Sequence, residues 1–202
     1  MNYINKNILE KEMFYDGNLV LKYHIEYPSI NSKMAFNNYN KKLAIGLQLQ
    51  SEGELYEQAV QTYKYNKENG YPIMVYEVYR TYEVTLNTNN VVSLYIDEYV
   101  FTGGAHGSTV RTSQTWNLYQ NCMMPLESFF PNNPYFMLDI LKEINRQILD
   151  NKEIYFEDAC NLVLETFNPD SFYLVPEGIV IYFQQYDIAP YSSGIRTFLI
   201  KY

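Results

Sequence analysis

His24 and His106 are the only two imidazoles in this chain of 202 residues, so proton transfer near neutral pH would most simply start from one of them. His106 lies in Phe101-Thr102-Gly103-Gly104-Ala105-His106-Gly107, with Ser108, Asp97 and Glu98 close in sequence. Those residue types are the ones a nucleophile, a base and an orienting carboxylate require. The Gly-x-Ser-x-Gly turn that exposes a serine nucleophile is missing; Ser192-Ser193-Gly194 comes nearest and lacks the first glycine. A second reading of His106 is a side chain hydrogen-bonded into a bent corner, since paired glycines beside strands mark tight bends and close approaches. Both readings stay open on the residues alone. His24 falls beside Lys22 and Glu26 on one face of a strand, with no second histidine or cysteine near, which fits a solvated face better than a metal site.

Other chemistries find less to work with. No His-Glu-x-x-His spacing exists for a catalytic metal, and Gly103 to Gly107 has neither the spacing nor the lysine of a phosphate loop. The expectation is therefore no metal and no cofactor. Among 23 acidic residues nothing singles out a carboxylate pair for glycoside hydrolysis. Cys122 and Cys160 are too few and too isolated for a disulfide framework and read as buried free thiols. A net charge of −8 without clustered Lys and Arg argues against nucleic acid and favours, weakly, a basic partner. No apolar run approaches the ~18 residues needed to cross a bilayer, and Met1 to Glu12 is polar with no signal-peptide core.

The elements that would position these residues follow from hydrophobic period. Ile8 to Tyr15, Asp16-Gly17 and Leu19 to Tyr27 read as a hairpin closed by Pro28, because Asp-Gly between strand-like runs is a strong turn signal. From Met34 to about Glu68 the apolar positions recur at helical spacing, with Gly46, Ser51 and Gly53 predicting a kink near 51 to 53 and Asn69-Gly70 a stop. Ile73 to Asn87 and Val91 to Thr102 alternate as two long strands, with Arg80 interrupting the apolar face of the first. Ser108 to Tyr119 reads as a strand whose middle, Thr112 and Gln114, lies near solvent. Two helices, 135–150 and 154–167, precede a hairpin from Phe172 to Ala189, a loop from Pro190 to Gly194 and a last strand, Ile195 to Tyr202.

The fold class is α+β: mainly antiparallel sheets, with one long helix in the N-terminal half and two helices in the C-terminal half packed on one face. The glycine corner suggests a division into residues 1–102 and 103–202. The chain carries 22 tyrosines and 11 phenylalanines, which suit half-buried strands and contact surfaces. The loop around Pro190, Tyr191, Ser192, Ser193 and Gly194 combines proline stiffness, two small hydroxyls and an aromatic, as a binding loop on a rigid scaffold does. The alternative is a strand corner with Tyr191 lying back on the core.

Two stretches carry a family resemblance. Phe101 to Gly107, followed by Trp116-Asn117-Leu118 and Pro125 to Phe130, resembles the opening of the C-terminal domain of RsiV-type anti-sigma factors, and Gly178 to Gly194 is similar to its close. The region before residue 101 resembles the companion domain found upstream there and in the non-catalytic part of PdaC-type peptidoglycan deacetylases. The resemblance implies an extracytoplasmic, non-enzymatic recognition module of the cell envelope, binding a protein such as lysozyme or peptidoglycan fragments. It points to Gly103, Gly104, His106, Gly107 and the loop 190–194 as contact residues. The competing expectation is a cell-wall carbohydrate hydrolase or deacetylase-related enzyme acting around His106.

Overall fold

In the computed structural model of the chain, residues 1–201 are described; Tyr202, expected to end the last strand, lies outside the described residues. The fold is α+β, with nine strands and four α-helices among the described residues. It forms two compact units: Asn2–Tyr82 with Ile96–Thr109, and Met1 with Glu83–Tyr95 and everything from Val110 onward. The boundary suggested between residues 102 and 103 therefore falls inside the first unit, and the long strands β3 (Tyr76–Asn87) and β4 (Val91–Phe101) contribute residues to both units.

In the first unit β1 (Ile4–Tyr15) and β2 (Asn18–Ile30) make the antiparallel hairpin around Asp16-Gly17, in the strand order β1-β2-β3-β4. Pro28 does not end β2. It lies opposite Lys6 of β1, while the pairing of β2 with β3 covers only Leu21 to Ile25, so no ladder partner on the β3 side calls on the missing N–H. That β2–β3 pairing is parallel, an exception within sheets otherwise built largely from antiparallel neighbours. Parallel strands need a long crossover, supplied by α1 (Met34–Gln50), a π-helical turn (Ser51–Leu55) and α2 (Tyr56–Asn69). The kink read from Gly46, Ser51 and Gly53 is thus a change of helical pitch, and Gly70 closes α2 in the left-handed conformation. Ala44, Leu47, Leu55, Ala59 and Tyr63 cover Leu21, Tyr23 and Ile25 of β2.

Two polar groups lie within this apolar layer. The Tyr23 hydroxyl donates to Glu52 Oε1 at 2.6 Å from beneath the π-helical turn, and Glu52 also receives Lys11 Nζ at 3.1 Å. Gln48 Nε2 donates to the same phenol oxygen at 3.1 Å. Arg80, expected as an interruption, is instead 1 % exposed and ion-paired with Glu98 of β4 through Nη1. Its Nε and Nη2 are buried without a hydrogen-bond partner, and burial pulls its pKa down against the opposing pull of Glu98.

In the second unit β3 and β4 continue into the order β3-β4-β5-β6, with β5 (Ser108–Asn117) and a short β6 (Cys122–Met123), and a separate sheet has the order β7-β8-β9. Its strands are β7 (Phe172–Val175), β8 (Gly178–Phe183) and β9 (Arg196–Lys201). Ile140, Ile144 and Ile148 of α3 (Phe136–Leu149) and Val163 of α4 (Ala159–Thr166) pack with Leu174, Ile181 and Phe198 in one core. Thr112 is exposed as expected, whereas Gln114 is buried, as is its neighbour Thr115. Gln114 accepts the Trp116 indole N–H, and Thr115 bonds at 2.8 Å to Ser93, whose hydroxyl also receives Leu174 N at 2.8 Å. A polar strand centre is buried here because cross-strand partners satisfy it. The expected strand to Ala189 stops at Phe183, where Asp187 Oδ2 accepts Gln184 N at 2.7 Å and turns the chain. Both cysteines are free; Cys122, at the short β6, is exposed rather than buried. No described helix is long and apolar enough to cross a membrane.

These contacts generate two predictions. Burial, and next the bond to Glu52, push the Tyr23 phenol up to about 12. Because the folded value lies above the ordinary value near 10, stability tied to Tyr23 is full below pH 10 and falls as pH rises toward 12. Tyrosine-selective NMR across that range should show a late-titrating ring that is absent in Tyr23→Phe; unchanged spectra would contradict the assignment. In urea denaturation Glu98→Met should cost about 3 kcal/mol by leaving the buried Arg80 guanidinium without its counter-charge, with much of the loss recovered in Arg80→Met/Glu98→Met. A loss in the double variant equal to the sum of the two single losses would show that the two side chains are not coupled.

Candidate binding loops

The first candidate loop follows β4. Gly103 and Gly104 both adopt positive φ, 105° and 88°, which residues with a Cβ rarely adopt, and this pair reverses the chain. Gly107 is needed for a different reason. A Cβ there would lie 2.4 Å from the Tyr99 ring, so the backbone passes directly against the aromatic face. Tyr99 in turn meets Tyr79 of β3, ring centroids 6.3 Å apart, so the loop base rests on two tyrosines. Gly104 and His106 are exposed, Gly103 is half-buried and Gly107 is buried. His106 Nδ1 lies 3.0 Å from Gly107 O, so in that contact Nδ1 carries the proton and donates. The corner reading of His106 has this bond in its favour. Glu98, one of the carboxylates close to it in sequence, is engaged by Arg80. Among the described residues no three His, Cys, Asp or Glu side chains are grouped to hold a metal ion.

The second candidate loop belongs to the second unit and joins β8 to β9. Pro190 leads into a single 3-10 turn, Tyr191–Ser193, and Gly194 leaves it at φ 66°. Ser193 Oγ donates to Ile154 O at 2.9 Å, and Arg196 Nη1 donates to Ser193 O at 3.1 Å while the guanidinium lies 5.2 Å from the Tyr155 ring centroid. Pro190 and Ser192 are exposed; Tyr191, Ser193 and Gly194 are half-buried. Tyr191 does not lie back on the core as a lone ring. It meets Tyr186 at 5.7 Å between centroids, and Tyr186 is 57 % exposed with φ 70°. The pair makes an aromatic surface on a tethered turn, a geometry that binds with little loss of side-chain entropy.

Several supporting residues carry no motif. Gln184 receives Arg111 N at 2.9 Å and returns Nε2 to Arg111 O at 2.6 Å, standing in for a strand neighbour. The Arg111 guanidinium lies 3.8 Å from the Tyr95 ring centroid. The spacing Gln184…Asp187 is a turn signal that could have exposed the end of β8; the positive φ of Tyr186 leaves no trace in residue type.

Comparison with known proteins supplies the context. The family model described as deacetylase PdaC matches residues 16–109, and that of a protein of unknown function, DUF3298, matches residues 127–202. The chain is 23 % identical over 125 residues to the peptidoglycan-N-acetylmuramic acid deacetylase PdaC of Bacillus subtilis; this covers 59 % of the chain and 26 % of that protein. The chain thus spans about a quarter of the length of that curated relative. Two crystal structures share the fold. A DUF3298 family member from Bacteroides fragilis has a TM-score of 0.70 at 19 % identity, covering all of this chain and 90 % of that one. A DUF3298 family protein from Pseudomonas aeruginosa PAO1 has a TM-score of 0.65 at 17 % identity, covering all of this chain and 92 % of that one. The chain therefore matches a PdaC-type domain over residues 16–109 and a DUF3298 domain over residues 127–202.

Proposed function

We propose that the protein is a non-enzymatic recognition module of the cell envelope, and that its ligand is a cell-wall glycan or a protein that acts on one, such as lysozyme. The observation that carries this reading is the Tyr186–Tyr191 pair, half-exposed on a turn held by Ser193 and Arg196. Rigid aromatic anchors of this kind dominate binding energy at recognition surfaces. The loop Gly103 to Gly107, backed by Tyr99, offers a second contact surface, with His106 as a hydrogen-bonding group rather than a base. The domain matches and the resemblance to the RsiV-type ectodomain support this choice of partner class. The net charge of −8 suits a basic protein such as lysozyme by steering its approach.

Calorimetric titration of the purified chain with lysozyme and, separately, with soluble muropeptides tests this. One of the two should bind saturably, and Tyr191→Ala or Tyr186→Ala should weaken that binding by about tenfold or more without changing the thermal midpoint. Turnover of peptidoglycan by the native chain, abolished in His106→Ala, would overturn the proposal in favour of an enzyme.

A further inference from the structure

We infer that a groove in the first unit, between the end of β1 and the exposed face of α2, is a subsite for one neutral pyranose ring of a glycan. It encloses about 350 Å3 and is lined by Tyr15, Tyr56, Glu57, Val60, Gln61 and Lys64, a size toward the lower end of ligand cavities. Tyr56, Val60 and Lys64 stand at successive steps of four along α2, with Glu57 and Gln61 one position on, so the helix delivers all five to one side.

Both aromatic walls are held before any ligand arrives. The Tyr56 hydroxyl donates to Phe14 O at 2.8 Å, which pins its ring across the gap between α2 and β1. Tyr15 meets Tyr63 edge-on, centroids 5.7 Å apart at 72°, and Lys64 Nζ lies 5.1 Å from the Tyr15 centroid. Fixed rings surrender little rotamer freedom on binding. They offer flat faces to an apolar surface, while Gln61 presents both an amide donor and a carbonyl acceptor beside them.

Charge narrows the ligand class. Glu57 and Lys64 place one carboxylate and one ammonium on the same groove, so its net charge is zero and neither an anion nor a cation is favoured overall. A neutral ligand with an apolar flat face and a rim of hydroxyl or acetamido groups matches rings, amide and paired charges together, and a pyranose has that form. The groove lies, apart from Tyr15, within the stretch matched to the PdaC model. The choice of a cell-wall sugar rests on the proposed recognition role, whereas the place rests on the groove itself and is separate from the two loops.

The test is an NMR titration of the isotope-labelled full chain with the trisaccharide of N-acetylglucosamine, a neutral probe. Saturable shifts are expected at Val60, Gln61 and Lys64, with an affinity that stays constant when the ionic strength is raised several-fold. Gln61→Ala, on an exposed position, and Tyr15→Leu should each weaken binding about three- to tenfold. If Tyr15→Leu disturbs folding, Gln61→Ala alone decides. No saturable shifts at these residues, or affinity unchanged in Gln61→Ala, overturns the assignment. Trisaccharide binding lost in Tyr191→Ala but kept in Gln61→Ala also overturns it, and leaves the loop-based role standing. Trisaccharide binding at the groove with no response to lysozyme or muropeptides supports the subsite while removing the loop-based role.

Discussion

The first unit depends on keeping one stripe of a long helical crossover against β2. From Leu47 onward the buried positions come four apart, at Ser51, Leu55, Ala59 and Tyr63. In a regular α-helix of 3.6 residues per turn, each such step drifts by about 40°, which would soon carry the stripe off the sheet. The π-helical turn at Ser51–Leu55, with its wider repeat, takes up part of that drift. Ser51 sits fully buried at the pitch change and gives its hydroxyl to Leu47 O at 2.8 Å, so a polar residue is accommodated where the backbone opens. The same turn brings Glu52 over Tyr23 and Lys11. α2 then continues with its outer face, including Tyr56, Val60 and Gln61, turned to solvent beside β1.

The two candidate loops are held in different ways. In the first unit the bend after β4 is fixed by sterics, because Gly107 has no room for a Cβ against Tyr99, and β4 itself is tied to β3 by the buried Arg80–Glu98 pair. In the second unit the turn Tyr191–Ser193 is fixed by hydrogen bonds to Ile154 and from Arg196. A ligand meeting either loop would find groups already in position, and preformed groups lose little conformational freedom on binding.

Much of this was legible in the residues. Asp16-Gly17, the helical stripe with its weak middle, Gly70 and the three isoleucines of α3 each state their structure through a local rule of turn chemistry or period. The PdaC-type part of the resemblance is matched over residues 16–109, whereas the C-terminal stretch matches a DUF3298 model and neither match extends to the anti-sigma factor relationship. What escaped was decided by partners distant in sequence. Pro28 can lie within a strand only because β3 stops pairing there, and Arg80 can enter the core only because Glu98 is beside it. For the candidate sites, residue type pointed to the glycines and Tyr191, while Tyr186 and the Tyr15–Tyr56 groove required the fold to bring together residues far apart in sequence or to set a backbone angle that no motif encodes.

The central claim is that this chain works by contact at preformed loops and not by turnover. Backbone amide shifts of the labelled chain, followed in parallel titrations with soluble peptidoglycan fragments and with lysozyme, test it most directly. The account predicts saturable changes centred on residues 186–194 or 103–107 with one of the two ligands and an unaltered ligand recovered afterwards. No change with either ligand, or recovery of a cleaved or deacetylated product, would contradict it.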